Sequence, residues 1–270
     1  MTETAIQGKH LQTGYRQKIL IDEALIKIPK GKITVLLGGN GCGKSTLLRT
    51  LAGLHPKQSG EVWIGNRQLE TIRPRQLAQI MAFLPQHPQA PETLTINELV
   101  MLGRYPYRKG FLPPSKTDKQ AVNSALANTD LLALAEQSLG NISGGQRQRA
   151  WLAMILAQET DILMLDEPTS YLDLSHQYDL LNLIKHLNDQ HQKTILIVLH
   201  DLNQAFEFAD HLIYMKNGKV ITQGSPAETA SESLIHEVFN LRCSIQQHPE
   251  SNCPLLVPLA GRYAPRCMTS

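Results

Sequence analysis

The chain has 270 residues, 42% apolar and 19% charged, with a formal net charge of +2. This balance fits a globular chain with a sizeable core, organised as one large domain or as one domain with a subdomain, and the absence of a long basic run argues against nucleic acid as the main ligand. No run approaches the roughly 18–20 apolar residues needed to cross a bilayer, and Met1 to Lys9 lacks the apolar stretch of a secretion signal, so the expectation is a cytosolic chain that reaches a membrane only through a partner.

In chain order, the first region (about 1–85) alternates short apolar strands with turns. Ile33 to Leu37 reads as a strand, and Gly38-Gly39-Asn40-Gly41-Cys42-Gly43-Lys44-Ser45 follows it with the spacing G-x-x-x-x-G-K-S. A helical run from Ser45 to Leu54 comes next. Strand, glycine loop and helix in that order make a phosphate cradle, because consecutive backbone N–H groups at a helix start bind an anion. Lys44 can reach the outer phosphates of a nucleotide, and the Ser45 hydroxyl can ligate Mg²⁺. Gly60 to Asn66 reads as a strand ending in a turn.

The second region (about 87–158) reads as mostly helical. Thr95-Ile96-Asn97-Glu98 is a capping box opening an apolar helix. Ser115 to Asn128 places Ala121, Val122, Ala125 and Leu126 on one helical stripe. Ile142-Ser143-Gly144-Gly145-Gln146 then starts a further helix, running to Gln158.

The third region returns to strand–helix alternation: strand Ile162 to Leu165, helix Leu174 to Asn188, strand Thr194 to Leu199, helix Leu202 to Phe208. Asn217-Gly218 marks a hairpin turn. Such alternation implies a parallel sheet flanked by helices. The first of these strands lifts Asp166 and Glu167 to the carboxyl end of the sheet, where ligands of such sheets bind. The four cysteines (Cys42, Cys243, Cys253, Cys267) show no zinc-type C-x-x-C spacing. Cys42 lies inside the phosphate loop, which suggests sensitivity to thiol reagents; the plainer reading is a tolerated small side chain.

Taken singly, each feature has a bland reading: a phosphate loop occurs in unrelated nucleotidases, and an Asp-Glu pair after four apolar residues is usually just a strand end. Together, in this order, they resemble the ABC-type ATPases over most of the chain, with Ser143-Gly144-Gly145-Gln146 as the signature. The resemblance implies an α/β phosphate-loop ATPase: one nucleotide-binding domain over 1–270, with a mostly parallel core sheet, an antiparallel β subdomain, a helical signature subdomain at about 87–158 and a C-terminal extension from about 242. It implies ATP and Mg²⁺. Gly38, Gly39, Asn40, Gly41, Cys42, Gly43, Lys44, Ser45 and Thr46 would cradle the phosphates, and Tyr15 would stack on adenine. Asp166 would hold Mg²⁺ directly or through water, together with Ser45 and Gln86. Glu167 would polarise the attacking water, with Lys44, Gln86 (in Phe83-Leu84-Pro85-Gln86) and His200 completing the catalytic set.

In this family two such domains face head to tail, so Ser143, Gly144, Gly145, Gln146 and Asp173 (in Leu172-Asp173) would act on the partner's ATP. Hydrolysis would then part the two halves. Gly39 stands where many relatives carry proline, and Ile142 replaces the usual leucine, a near-isosteric change; neither removes a contact.

Leu102-Gly103-Arg104-Tyr105-Pro106-Tyr107 resembles a segment of the ATPases that serve ferric-siderophore, ferric-citrate, cobalamin or haem importers. So do Gln146 to Met154, Asp166 to Asp173 (Tyr171 included), His200 to Ala205, and Cys253 to Arg262. The plainer account of Arg104 to Tyr107 is a helix end stopped by Pro106. The resemblance implies a homodimer at the cytoplasmic face of a bacterial inner membrane. It would work with integral-membrane permease subunits and, indirectly, with an extracytoplasmic solute-binding protein. The competing class is a soluble ABC ATPase that moves no solute, such as one of iron–sulfur assembly. Residues after Arg262 match nothing recognisable.

Overall fold

The computed structural model describes residues 3–15, 18–108, 110, 112–170 and 172–259. Tyr171, Cys267, and the part of the tail resemblance from residue 260 onward lie outside the described residues. In chain order come β1 (Thr4–Tyr15), β2 (Lys18–Pro29), β3 (Ile33–Gly38), α1 (Lys44–Leu51), β4 (Lys57–Ile64), β5 (Arg67–Gln68), α2 (Pro74–Ile80) and β6 (Met81–Leu84). Then follow α3 (Ile96–Leu102), α4 (Lys116–Asn128), α5 (Gly144–Ala157), β7 (Ile162–Leu165), α6 (Leu174–His191), β8 (Thr194–Val198) and α7 (Leu202–Phe208). The chain continues through β9 (His211–Lys216), β10 (Lys219–Gly224), α8 (Pro226–Thr229), α9 (Glu232–Phe239), β11 (Cys243–Gln247) and β12 (Pro254–Pro258).

The central sheet runs β10-β9-β3-β8-β7-β6. All neighbours are parallel except the β9–β10 pair, joined at Asn217-Gly218. Its inner strands are buried on both faces, which is why they read as unbroken apolar runs. Alternation sorts them: Ile33, Val35, Leu163, Leu165, Ile195 and Ile197 pack with α5, α6 and α7. Leu36, Met164, Leu196 and Val198 face α1 and the antiparallel sheet β2-β1-β4-β5.

The long β1–β2 hairpin was not foreseen as such; short strands were expected here. Register shifts interrupt it, and His10 and Glu23 take φ of 47° and 48° within it. Bulges of this kind break the two-residue period that a sequence pattern relies on. Boundaries moved by a few residues elsewhere: α1 ends at Leu51 rather than Leu54, β4 begins at Lys57 rather than Gly60, and α6 runs on to His191.

The capping boxes at Thr95/Glu98, Ser115/Asp118 and Ser143/Gln146 are all formed, opening α3, α4 and α5. These helices pack around Leu99, Val122, Leu126 and Leu152. α3 ends at Leu102, four residues before Pro106, which sits in a tight turn over Tyr105–Tyr107. Arg104 is interior, only 3% exposed. Its guanidinium donates to Asp118 Oδ1 (2.9 Å), Glu159 Oε2 (2.6 Å) and the Ala157 carbonyl (2.7 Å), and lies 4.1 Å from the Tyr107 ring centre. This residue ties α4 and the end of α5 to the turn after α3. Arg104→Met should therefore lower the unfolding free energy by about 3 kcal/mol, since it strands Asp118 in the interior. Urea denaturation measures this, and a loss below about 1 kcal/mol would be the value of a surface pair instead.

Candidate functional site

Four adjacent parallel strands, β3-β8-β7-β6, deliver their following residues to one edge of the sheet. β3 runs into the glycine loop, β6 leads to Gln86, β7 to Asp166 and Glu167, and β8 to His200. The Asp166 N–H donates to the Leu84 carbonyl at 2.9 Å, so β6 and β7 stay in register to their last residue.

The loop and the first turn of α1 line a recess of 210 Å³ formed by Leu20, Asn40, Gly41, Gly43, Lys44, Ser45, Thr46 and Glu167. The first N–H groups of α1 lack helical acceptors and are available to an anion. Gly43 is the N-cap of α1 at φ 103°, and a Cβ there would lie 2.5 Å from Ile21 Cδ1 of β2. The left-handed φ is what favours glycine here, and a side chain would also have to push the Ile21 methyl aside. Lys44 is buried, and its ammonium donates to the Gly38 and Gly39 carbonyls at 2.9 and 3.2 Å, which pins the strand end to the helix start. Cys42 is buried beneath the loop, and that burial pushes its thiol pKa up.

The two β7 carboxylates have opposite surroundings. Asp166 is fully buried. Its Oδ1 accepts from the Ser45 hydroxyl at 2.8 Å, while Oδ2 has no hydrogen-bond partner and meets Arg49 Nη2 only at 3.7 Å. Burial raises the Asp166 pKa despite Ser45 and Arg49. A buried carboxylate oxygen without a donor, beside a hydroxyl, is a donor set for a hard divalent cation such as Mg²⁺.

Glu167 is instead held by neighbours: Gln86 Nε2 and Ser170 Oγ (3.2 Å) donate to Oε2, and the His200 ring lies against Oε1 as an ion-pair contact, Nε2 at 2.7 Å. Because Gln86 gives its amide N–H₂ to Glu167, its carbonyl oxygen stays free to accept or to ligate. Glu167 holds φ 51°, a left-handed value costly for a non-glycine residue and typical of sites where a side chain must be aimed.

The remaining expected residues lie apart. None of Ser143, Gly144, Gly145, Gln146 and Asp173 lines the recess. Ser143 Oγ accepts from the Gln146 N–H at 3.2 Å, leaving its own proton to donate elsewhere. Asp173 is the N-cap of α6. Tyr15 ends β1 half-exposed, its ring 4.6 Å from His55 at a tilt.

Sequence reasoning missed Ser170 on Glu167, Arg49 beside Asp166, and Leu20 and Ile21 at the loop. Ser170 stood in plain view four residues after Asp166. The others depend on long-range packing that no local pattern carries.

The sequence model of the ABC transporter family matches residues 8–170. The petrobactin import ATP-binding protein FpuD of Bacillus anthracis is 46% identical over 256 residues, 95% of this chain and 94% of that one. The ferric enterobactin transport ATP-binding protein FepC of Escherichia coli strain K12 is 44% identical over 272 residues, spanning 100% of both. Among solved structures, a metal-chelate type ABC transporter in an inward-facing conformation superposes with a TM-score of 0.83. It is 29% identical and covers 96% of this chain and 98% of that one.

The surroundings of Cys42 predict weak thiol reactivity: at neutral pH, iodoacetamide should modify it at least about tenfold more slowly than the partly exposed Cys253, with the rate rising as pH rises. Peptide mass mapping over time checks this, and equal rates would contradict the packing of the loop.

Proposed function

Because this chain belongs to the ABC transporter family, we propose that it is the ATP-hydrolysing subunit of an importer that takes up a ferric siderophore or a related iron chelate. Importer ATP-binding subunits of this family dimerise as cassettes and work with membrane permeases. Among the described residues no helix is long and apolar enough to cross a membrane. The proposed location is therefore peripheral, on the cytoplasmic face of a bacterial inner membrane. An extracytoplasmic binding protein would deliver the solute to the permease.

The observation that carries the mechanism is the clamp on Glu167 at the lip of the phosphate-loop recess. Gly38 to Thr46 and Lys44 bind the nucleotide phosphates, and Tyr15 offers a half-exposed ring to adenine. Ser45, Asp166 and the Gln86 carbonyl would hold Mg²⁺, which when bound neutralises charge on the outer phosphates. Glu167 accepts the proton of the attacking water, and Gln86, Ser170 and His200 fix the direction in which its carboxylate points. His200 also brings an imidazole N–H to the edge where charge develops on the γ-phosphate.

The Ser143–Gln146 turn and Asp173 have no partner in their own recess. They act instead on the second subunit's nucleotide, through a hydroxyl donor and glycine backbone at a helix start. ATP then bridges two cassettes, and its hydrolysis removes the bridge.

The permease is proposed to seat in an apolar groove of 650 Å³ that includes Leu54, Ile72, Leu77, Met81 and Phe83. Phe83 lies on β6, three residues before Gln86, so a shift of the occupant reaches the Glu167 clamp directly. Leu102 and Tyr105 are also exposed near the end of α3. They, and not the interior Arg104, are the outward residues of the importer-like segment.

Glu167→Gln should cut hydrolysis by roughly 10²-fold or more while retaining ATP, and the variant should elute as a dimer only with nucleotide. Unchanged turnover would remove Glu167 from the base role. In cells, Lys44→Ala should abolish uptake of one radiolabelled substrate among ferric siderophore, ferric citrate and cobalamin. Normal uptake of all three, with the variant expressed and inactive as an ATPase, would overturn the iron-chelate reading.

A further inference from the structure

Asp173 and the Ser143–Gln146 turn are separate from the phosphate-loop recess, yet they are joined to each other by a residue the mechanism above does not use. His176 lies in the first turn of α6. Its backbone N–H donates to Asp173 Oδ1 at 2.9 Å, and its ring Nδ1 meets the same oxygen at 2.6 Å. The backbone and side-chain bonds from His176 hold the Asp173 carboxyl below the usual carboxylate range. Asp173 is therefore an ionised acceptor, and the ring nitrogen facing it must carry the proton. The opposite edge of the ring lies against the signature turn: a Cβ on Gly145 would sit 2.9 Å from His176 Cδ2 and 3.4 Å from Nε2, whereas a Cβ on Gly144 would meet nothing within 4 Å. The two adjacent glycines thus answer to different constraints. Gly144 faces open space, and Gly145 is glycine because the imidazole occupies the place of its side chain. A second tie, Gln148 Nε2 to the Pro168 carbonyl at 2.7 Å, runs alongside and joins α5 to the loop after β7.

We propose that His176 is a positioning residue that sets the spacing between Asp173 and the Ser143–Gln146 turn, so that the two groups one subunit presents to its partner's nucleotide move as a single unit. This rests on the paired-cassette reading. His176 touches neither the phosphate loop nor Glu167; its effect is on closure of the pair and not on nucleotide binding within one chain.

Both quantities are read in the Glu167→Gln chain: binding of a fluorescent ATP analogue to the monomer, and the ATP-driven dimer fraction by size-exclusion chromatography. His176→Ala should leave monomer affinity within about twofold and weaken dimerisation by roughly tenfold or more, a coupling of the usual size between linked sites. His176→Asn, whose amide replaces the Nδ1 donor to Asp173, should recover most of the loss. Dimerisation of His176→Ala at the parent level would overturn the proposal, as would a His176→Asn variant no better than His176→Ala. If the Glu167→Gln parent itself stays monomeric with ATP, the paired-cassette reading fails first, and the two failures are told apart by that control.

Discussion

The site depends on one constraint: β3, β8, β7 and β6 lie parallel and in register to their carboxyl ends. β6, β7 and β8 each present their site residues within two residues of the strand end, and β3 runs straight into the glycine loop, so the spacing of those groups is set largely by the strand-to-strand distance and not by flexible loops. The bond from the Asp166 N–H to the Leu84 carbonyl carries the pairing one residue past the end of β7, to the last residue of β6. That is where Gln86 and Glu167 meet. Shifting β6 or β7 by one residue would turn Leu84, Leu165 and the carboxylates to the wrong faces together. The two-sided apolar core, with Leu165 and Ile197 on one face and Met164 and Val198 on the other, makes that shift costly.

Within this frame, Asp166 and Glu167 are neighbours in sequence with opposite environments. Asp166 is buried with one oxygen unsatisfied, which suits a cation that arrives with its ligand. Glu167 has two donors on Oε2 and the His200 ring against Oε1. The turn between them uses the left-handed φ of Glu167, and the strain of about 1 kcal/mol or more is held by the clamp and by the following turn, in which the Ser170 N–H donates to the Glu167 carbonyl. A leucine-rich strand thus ends in two carboxylates with distinct tasks because the backbone reverses between them.

The parts of this arrangement that were legible in the sequence are those encoded locally. The glycine loop, the Thr95/Glu98 capping box and the apolar runs of β3, β7 and β8 each declare themselves within a few residues. The β1–β2 hairpin did not, because its bulges break the alternation and its partners are found by long-range pairing. The importer-like segment was legible as a resemblance but not in its physics. Arg104 reads as a surface cation until Asp118 and Glu159 fold around it, and no pattern in Leu102 to Tyr107 announces carboxylates 14 and 55 residues away. The approach of a phosphate would ask for glycine at Gly144 and Gly145 alike. The ring of His176 separates the two, and that contact appears only once α5 and α6 are side by side.

The two halves of the proposed chemistry are both preformed within one chain. The half proposed to activate water is assembled on strand ends, with the Glu167 carboxylate already held in place. The half that reaches outward is also formed in advance: the Ser143 capping box orders the start of α5, and the same box uses the hydroxyl only as an acceptor, so its proton remains free for an outside oxygen. Neither half then has to fold when nucleotide binds, which removes the ordering cost that would otherwise weaken association. What is left to control is the approach of one preformed half to the other. A permease seated, as proposed, in the groove beside β6 would have that approach within reach, because the same strand carries both Phe83 and the path to Gln86. Transport and hydrolysis are on this view coupled through rigid-body geometry, not through any change in the chemical identity of the site.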